Sequence, residues 1–304
     1  MSFTLRKVES EDIAPPEDLS KPPRHKSDGR PYIMLPDGSK RVYYSRASNA
    51  GAVLESKEGL MKWKARLAAW GAVHFPRLAD PLQDITDLDD PESKTILNRV
   101  TAQLQEAAGA SRKAEKGTAF HTVTEAIDRG EAVGWLPESM IGMAREYSRL
   151  VDELAKHREY AVEFIEEFCV NDEEKIAGTP DRIVSIDGEP AVVDVKTMGS
   201  MDYGMGKIAM QMYAYGGAQR YNELWDDTGY GTMRLPWSLS SEPITRGFIL
   251  WVPQGREYAA ISQEIDLTQG RRGMQIAREV KEWENFWKRK ANRFRAEMSF
   301  GEES

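Results

Sequence analysis

The stretch AGTPDRIVSIDGEPAVVDVKT, residues 177–197, holds two short apolar segments joined by the turn Asp187-Gly188-Glu189-Pro190. A connection this short makes the two segments antiparallel neighbours in a sheet. This pairing brings Asp181, before the first segment, close to Asp194 in the second. Lys196 follows Asp194 by two residues, and such residues point to the same face of a strand. The stretch therefore predicts a charged site at one end of a buried strand pair.

Two carboxylates at close range raise each other's pKa unless a cation lies between them. Hard divalent cations such as Mg²⁺ and Mn²⁺ prefer oxygen ligands of this kind. An ammonium group beside them could orient a water molecule or stabilise charge on a phosphate. We therefore expect Asp181 and Asp194 to bind a divalent metal ion, and Lys196 to orient a water molecule or to stabilise charge on a phosphate.

A third acidic residue lies in the preceding segment, where residues 160–170 read as one strand. Glu166 falls on the same face as Val162, Phe164 and Phe168, where the alternation calls for an apolar side chain. A charge on an apolar face needs a partner, and a metal ion would supply one. The alternative is a β-bulge that shifts the pattern and leaves Glu166 exposed. Both interpretations stay open from the residues alone.

Three further side chains are candidates because of where they fall in the chain. His121 lies early in a predicted helix; a lone helical histidine is more often packed or exposed than a ligand, but imidazole also binds divalent metals. Gln211 and Tyr215 are four residues apart on the helix after the charged strand, so they share a face. Such a pair could hold a phosphate or position Lys196, or Tyr215 could simply belong to the core.

The order of predicted elements indicates an α/β fold with a mixed sheet and helices on both faces. Residues 1–30 are polar and proline-rich, which is typical of a flexible arm, and a β-hairpin follows at residues 32–44. Helical patterns cover residues 52–70, 92–108, 117–130, 137–157, 207–225 and 268–298. Strand patterns cover residues 160–170, 175–186, 191–197, 245–253 and 257–266, and a glycine-rich loop follows residue 225. We expect a hairpin and helical region over residues 31–110 and the main core over residues 111–304.

The amino-acid composition excludes several kinds of structural site. The 304 residues are 40% hydrophobic and 30% charged, with one cysteine, Cys169. This excludes an internal disulfide, a four-cysteine zinc site and a four-cysteine iron–sulfur cluster. The sequence shows no membrane-length apolar run, signal core, P-loop or GxGxxG motif, so we expect a cytoplasmic protein. Residues 40–66 and 271–295 are basic although the net charge is −8.

Four motifs in order resemble the PD-(D/E)xK nuclease superfamily, and in particular its RecB-like exonuclease branch. They are GTAFH at residues 117–121, GTPD at 178–181, VDVK at 193–196 and QMYAY at 211–215. The resemblance implies a restriction-endonuclease-like core. Some members of the branch hold an iron–sulfur cluster with four cysteines; this chain resembles the cluster-free members, which include phage recombination exonucleases.

The resemblance also implies roles for the candidate residues. Asp181 and Asp194 would bind one or two Mg²⁺ or Mn²⁺ ions, together with the Val195 carbonyl, His121 and Glu166. Lys196 would position or activate the attacking water. Gln211 and Tyr215 would bracket the scissile phosphate or the DNA end.

The function that the resemblance implies is metal-dependent hydrolysis at DNA ends, in phage recombination or repair and in the host cytoplasm. A single-strand annealing protein is the partner that the resemblance implies. An endonuclease of the same fold is an alternative, as is a catalytically idle DNA-binding protein. A small-molecule metallohydrolase is a fourth, but it leaves the two basic segments unexplained.

Overall fold

The computed structural model describes residues 4–6, 22–201, 204–226, 229–237, 242–254 and 260–299. The chain forms two compact units: residues 56–124 make the smaller one, and the chain before and after them makes the larger one. This division differs from the predicted one, which placed its boundaries after residues 30 and 110.

The smaller unit is helical. It contains α1 (Glu58–His74), α2 (Pro76–Ala79), α3 (Pro91–Ala107) and most of α4 (Arg112–Asp128). The Asp90 carboxylate caps α3 by accepting a hydrogen bond from the Ser93 amide at 2.8 Å. Close packing of α1 on α3 requires Gly71, because an added Cβ would lie 2.5 Å from the Leu104 carbonyl oxygen.

The larger unit contains the remaining helices and the strands. Its helices are α5 (Glu138–Arg158), α6 (Met205–Gly216) and α7 (Thr268–Ser299). Its first seven strands are β1 (Thr4–Arg6), β2 (Tyr32–Met34), β3 (Arg41–Tyr43), β4 (Ser45–Arg46), β5 (Ala161–Ile165), β6 (Cys169–Asn171) and β7 (Ile176–Gly178). The rest are β8 (Arg182–Ile186), β9 (Glu189–Lys196), β10 (Gln219–Asp226), β11 (Gly229–Leu235), β12 (Arg246–Trp251) and β13 (Ile261–Asp266).

The predicted mixed sheet is confirmed as a five-stranded sheet in the order β13-β12-β9-β8-β5. Strands β12 and β9 are parallel and the other neighbours are antiparallel. As predicted, β8 and β9 form an antiparallel pair, with Arg182 opposite Val193. Helix α6 packs on β9 and α7 packs on α6, and the core between them includes Val192, Met212 and Ile249.

A second sheet was not predicted, because two of the expected strands are each broken. The expected strand over residues 160–170 is wrong as one element: β5 ends at Ile165, and β6 belongs to a six-stranded sheet, β1-β11-β10-β6-β7-β4. Glu166 at the break has a φ of 53°, outside the β region. The expected strand over residues 175–186 is likewise two strands, β7 and β8, in different sheets. The chain therefore crosses between the sheets at residues 166–168 and again at 179–181.

The helix expected over residues 207–225 is also too long. Helix α6 ends at Gly216, and Gly217 donates a backbone hydrogen bond to the Tyr213 carbonyl. Only glycine fits at position 216, since a Cβ there would lie 2.3 Å from the Ile244 carbonyl oxygen. Residues 219–226 form β10, and β11 lies in the segment expected to be a glycine-rich loop. Residues 227–228 and 238–241 of that segment lie outside the described residues.

Parts of the expected flexible arm have regular structure. Strand β1 pairs with β11, and the His25 amide donates to the Arg30 carbonyl in a turn that precedes β2. Residues 1–3 and 7–21 of that arm lie outside the described residues. The hairpin predicted at residues 32–44 is present as β2 and β3. No helix in the described parts of the chain is long and apolar enough to cross a membrane.

Candidate active site

The end of the β8–β9 pair positions the two predicted aspartates. Asp181 lies directly before β8, and its Oδ2 accepts a hydrogen bond of 2.7 Å from the Val195 amide on β9. Pro180 precedes Asp181 at the crossing between the two sheets, where no strand ladder continues. Asp181 is therefore fixed across the strand pair at a point where its backbone leaves one sheet for the other.

Asp194 and Lys196 lie on one face of β9, as predicted. The Lys196 ammonium is 2.6 Å from Asp194 Oδ2, and the Asp194 side chain is buried. Burial lowers the pKa of Lys196, but the Asp194 and Asp181 carboxylates outweigh it, so that the pKa is raised overall. Lys196 is therefore a cation at neutral pH and a hydrogen-bond donor.

Glu166 faces Asp181 although it is not part of a strand. The Glu166 amide donates to the Asp181 carbonyl at 3.3 Å, and carboxylate oxygens of the two residues lie within 4.8 Å of one another. Partial burial raises the pKa of Glu166 to about 7, and the carboxylates of Asp181 and Glu125 add to the shift. A register shift in β5 accompanies this arrangement, so the bulge and the acidic cluster are both present.

A buried ion pair supports the Asp181 backbone and was not predicted. Arg182 is fully buried, donates to the Asp181 carbonyl at 2.6 Å and pairs with Asp128 Oδ2 at 2.5 Å. The Tyr147 hydroxyl donates to the same Asp128 oxygen at 2.7 Å. The sequence signal is Arg182 beside Asp181, but nothing local indicates that its partner lies on α4.

Gln211 and Tyr215 share one face of α6, as predicted. Gln211 Nε2 lies 3.5 Å from the Tyr215 hydroxyl, a long hydrogen bond. Burial raises the pKa of Tyr215, with smaller contributions from Cys169, Asp181 and Asp194. The tyrosine hydroxyl therefore lies within electrostatic range of both aspartates. It also contacts Gly178, where an added Cβ would be 2.9 Å from the hydroxyl oxygen.

The remaining two candidates are placed as follows. His121 is a half-buried residue of α4, in the part of that helix that belongs to the smaller unit, and Thr124 Oγ1 donates to its carbonyl. Val195 contributes its amide to Asp181, as described above. Metal binding by His121 and by the Val195 carbonyl stays a prediction.

The acidic side chains fit a hard divalent cation. Glu166 and Asp181 present oxygens close enough together to share one ion. Burial raises the pKa of Glu166, and repulsion from the Asp181 carboxylate adds to the shift. A cation between the two carboxylates would relieve that repulsion. Asp194 adds a buried carboxylate at the same end of the strand pair.

Comparison with known proteins agrees with this site. The family described as the PD-(D/E)XK nuclease superfamily matches residues 95–301, a range that contains every predicted site residue. A search of curated proteins found no match. The mixed sheet flanked by helices is consistent with a restriction-endonuclease-like core, and nucleases of this superfamily are phosphodiesterases that use divalent metal ions. The chain therefore belongs to the PD-(D/E)XK nuclease superfamily.

Proposed function

We propose that this protein is a divalent-metal-dependent deoxyribonuclease that hydrolyses phosphodiester bonds at DNA ends. The observation that carries the proposal is the grouping at one end of β8 and β9. There the Val195 amide holds Asp181, and Asp194 pairs with Lys196. A strand pair needs no such charges for its own stability, because burying them is costly. Hydrolysis explains all three side chains together.

Asp181, Asp194 and Glu166 would hold the ion, and Mg²⁺ or Mn²⁺ suits an all-oxygen set of ligands. By the resemblance, His121 and the Val195 carbonyl complete the coordination of one or two ions. Such an ion, when bound, lowers the pKa of a water molecule and neutralises charge on the phosphodiester. No iron–sulfur cluster is part of the proposal.

The chain's own residues have separate tasks. Lys196, whose ammonium lies 2.6 Å from Asp194 Oδ2, would donate a hydrogen bond to the attacking water or to a phosphate oxygen. Gln211 and Tyr215 offer an amide and a hydroxyl on the same face, where they would bracket the scissile phosphate. No side chain has to act as a covalent nucleophile.

Basic residues on α7 supply a surface for the DNA backbone. Arg271, Arg272, Lys288, Arg289 and Lys290 are exposed on this helix in a chain of net charge −8. Local positive charge of this kind attracts phosphates whatever the base sequence is. Action on ends in phage recombination or repair, a single-strand annealing partner and a cytoplasmic location extend the proposal by resemblance.

The test compares linear DNA with covalently closed circular DNA, each incubated with Mg²⁺, Mn²⁺, Ca²⁺ or EDTA. We expect metal-dependent loss of the linear form alone in Mg²⁺ and Mn²⁺. Ca²⁺ should support little turnover, because its looser coordination positions water poorly. Cutting of the circle would replace the exonuclease by an endonuclease of the same fold. Binding without cleavage under every metal condition would contradict the enzymatic proposal and favour a DNA-binding protein.

A further inference from the structure

A cavity of about 390 Å³ opens beside the candidate active site. Its wall includes Glu166 and Thr179, which flank the two points where the chain crosses between the sheets. Strand β10 contributes Arg220 and Asn222 to the same wall, and Arg24 contributes from the segment before β2. The cavity therefore joins the acidic cluster to Arg24 and Arg220, two cationic residues that have no assigned role.

Arg220 is the unusual residue of this wall. Its guanidinium lies over the Phe164 ring, with the central carbon 4.4 Å from the ring centroid. Its Nε is buried and has no hydrogen-bond partner among the residues that the structure describes. Other shielded arginines of this unit are paired with carboxylates, as Arg182 is with Asp128 and Arg41 with Glu223. Arg220 is thus a half-buried cation whose shielded Nε–H has no acceptor among the described residues.

The geometry of the Arg220 guanidinium indicates which kind of acceptor it can bind. A guanidinium stacked on an aromatic ring keeps its N–H groups in one plane, and that fork matches the oxygens of a phosphate. Thr179 and Asn222 add polar groups to the wall, and the exposed Arg24 adds a second positive charge. The volume is within the range of cavities that bind small ligands or parts of larger ones.

We propose that Arg220 forms a phosphate-binding subsite that receives a DNA phosphate next to the scissile one. The inference rests on the proposed function, because it takes DNA as the substrate. The phosphate belongs either to the strand backbone or to a strand end, and both sources present the same oxygens to Arg220. Glu167 also lines the cavity, so its charge opposes an anion there.

The test measures binding of short single-stranded oligonucleotides in EDTA at low salt, where cleavage plays no part. Three six-nucleotide probes of one sequence carry a 5′-phosphate, a 3′-phosphate or no terminal phosphate. Arg220→Gln should weaken binding about 10- to 100-fold, the loss expected for hydrogen bonds to a charged group. Arg220→Lys should recover part of the affinity, since it restores the charge without the planar fork. Glu167→Gln should strengthen binding.

Arg246→Gln is the matched control, because Arg246 also lies over an aromatic ring, that of Phe248, at 5.5 Å. Arg246 is the first residue of β12, whereas Trp251, which pairs with Lys196, is the last.

An Arg220 effect on all three probes would assign the subsite to a backbone phosphate. An effect on one phosphorylated probe would assign it to that strand end. Equal binding by wild type and Arg220→Gln, with both folded, would overturn the proposal. Failure of cleavage alone would count against the proposed function and leave this result standing.

Discussion

Asp181 is the residue on which the contacts of the site converge. Its carboxylate accepts from the Val195 amide, and its carbonyl accepts from Arg182 and from the Glu166 amide. The side chain and the backbone of Asp181 are thus held by separate hydrogen bonds. Rigid support of this kind is what a hydrolytic site needs from its scaffold.

Asp181→Asn should abolish cleavage and leave the fold intact. The amide oxygen can still accept from Val195, while one of the repelling charges next to Glu166 disappears. We expect the cleavage rate to fall about 100-fold or more, the size of effect seen when one electrostatic group is removed from a site. The melting temperature in EDTA should equal or exceed that of wild type. Asp152→Asn, an exposed change on α5, is the control, and a much lower melting temperature for Asp181→Asn would contradict this account.

Glu166 makes the stability of the metal-free protein depend on pH. Its pKa is raised from 4.5 to about 7, so the folded chain binds more protons than the unfolded chain between these values. The free energy of unfolding should therefore fall as pH rises from 5 to 8. Urea unfolding of Glu166→Gln in EDTA should show a weaker fall than wild type. Glu163→Gln, which removes an exposed charge from β5, should retain the wild-type slope; equal slopes in all three proteins would exclude the shift.

The sequence is informative about the residues that follow strand alternation. Asp194 and Lys196 could be predicted because β9 is regular to its last residue, and Asp181 because a short turn joins β8 to β9. Glu125, Asp128 and Arg182 could not be assigned in this way. Asp128 on α4 pairs with Arg182 on β8, 54 positions along the chain, and Glu125 on α4 raises the pKa of Glu166, which lies between β5 and β6. No local pattern encodes contacts between residues so far apart.

At the scale of elements, the site depends on two strands that break. Periodicity predicts one strand through Glu166 and one through Asp181, because apolar residues continue on both sides of each break. The structure instead uses the breaks to pass the chain between two sheets. Sequence pattern shows where extended chain lies, but it does not show which sheet each half joins. Strand β6 joins the second sheet by pairing with the distant β10, and β7 pairs there with the distant β4. The end of α6 at Gly216 was missed for a similar reason, since its close neighbour is the distant Ile244.

The close approach of β7 to α6 gives a test at this scale. Gly178→Ala would place a Cβ 2.9 Å from the Tyr215 hydroxyl, next to Asp181. We expect it to destabilise the fold by about 1–3 kcal/mol through overpacking, and to slow cleavage by displacing Tyr215. Urea unfolding and cleavage rates would measure both effects.

Gly142→Ala is the control for that substitution. It adds the same methyl group on α5, where nothing lies within 4 Å. A helix gains about 0.5–1 kcal/mol from this change. If Gly178→Ala behaved like Gly142→Ala, the proposed contact between Gly178 and Tyr215 would be wrong.

At the scale of the whole molecule, positive charge is concentrated on one helix although the net charge is negative. The chain is acidic overall, yet exposed basic residues are grouped on α7, where Arg278 pairs with Glu174. Distribution and not net charge decides whether a polyanion binds. The larger unit therefore combines the acidic candidate site with a positive surface on α7.

Reversing the charges of Lys288, Arg289 and Lys290 to glutamate should weaken DNA binding at low salt. For every side chain that pairs with a phosphate in the wild type, the slope of log affinity against log salt concentration should fall by about one. Lys156→Glu, an exposed change on α5, is the control. Fluorescence anisotropy with a labelled duplex at several salt concentrations would measure the slopes. A slope unchanged from wild type would show that α7 does not contact DNA.

The most direct test of the central claim is a single-turnover cleavage assay of linear duplex DNA by Lys196→Ala in Mg²⁺, with DNA binding measured in parallel. Lys156→Ala, which removes an exposed lysine far along α5, serves as the matched variant. We expect Lys196→Ala to cleave about 100-fold or more slowly than wild type, as for other electrostatic groups in active sites, and to bind DNA as wild type does. Cleavage by Lys196→Ala at the wild-type rate would contradict a hydrolytic site built on Asp181, Asp194 and Lys196.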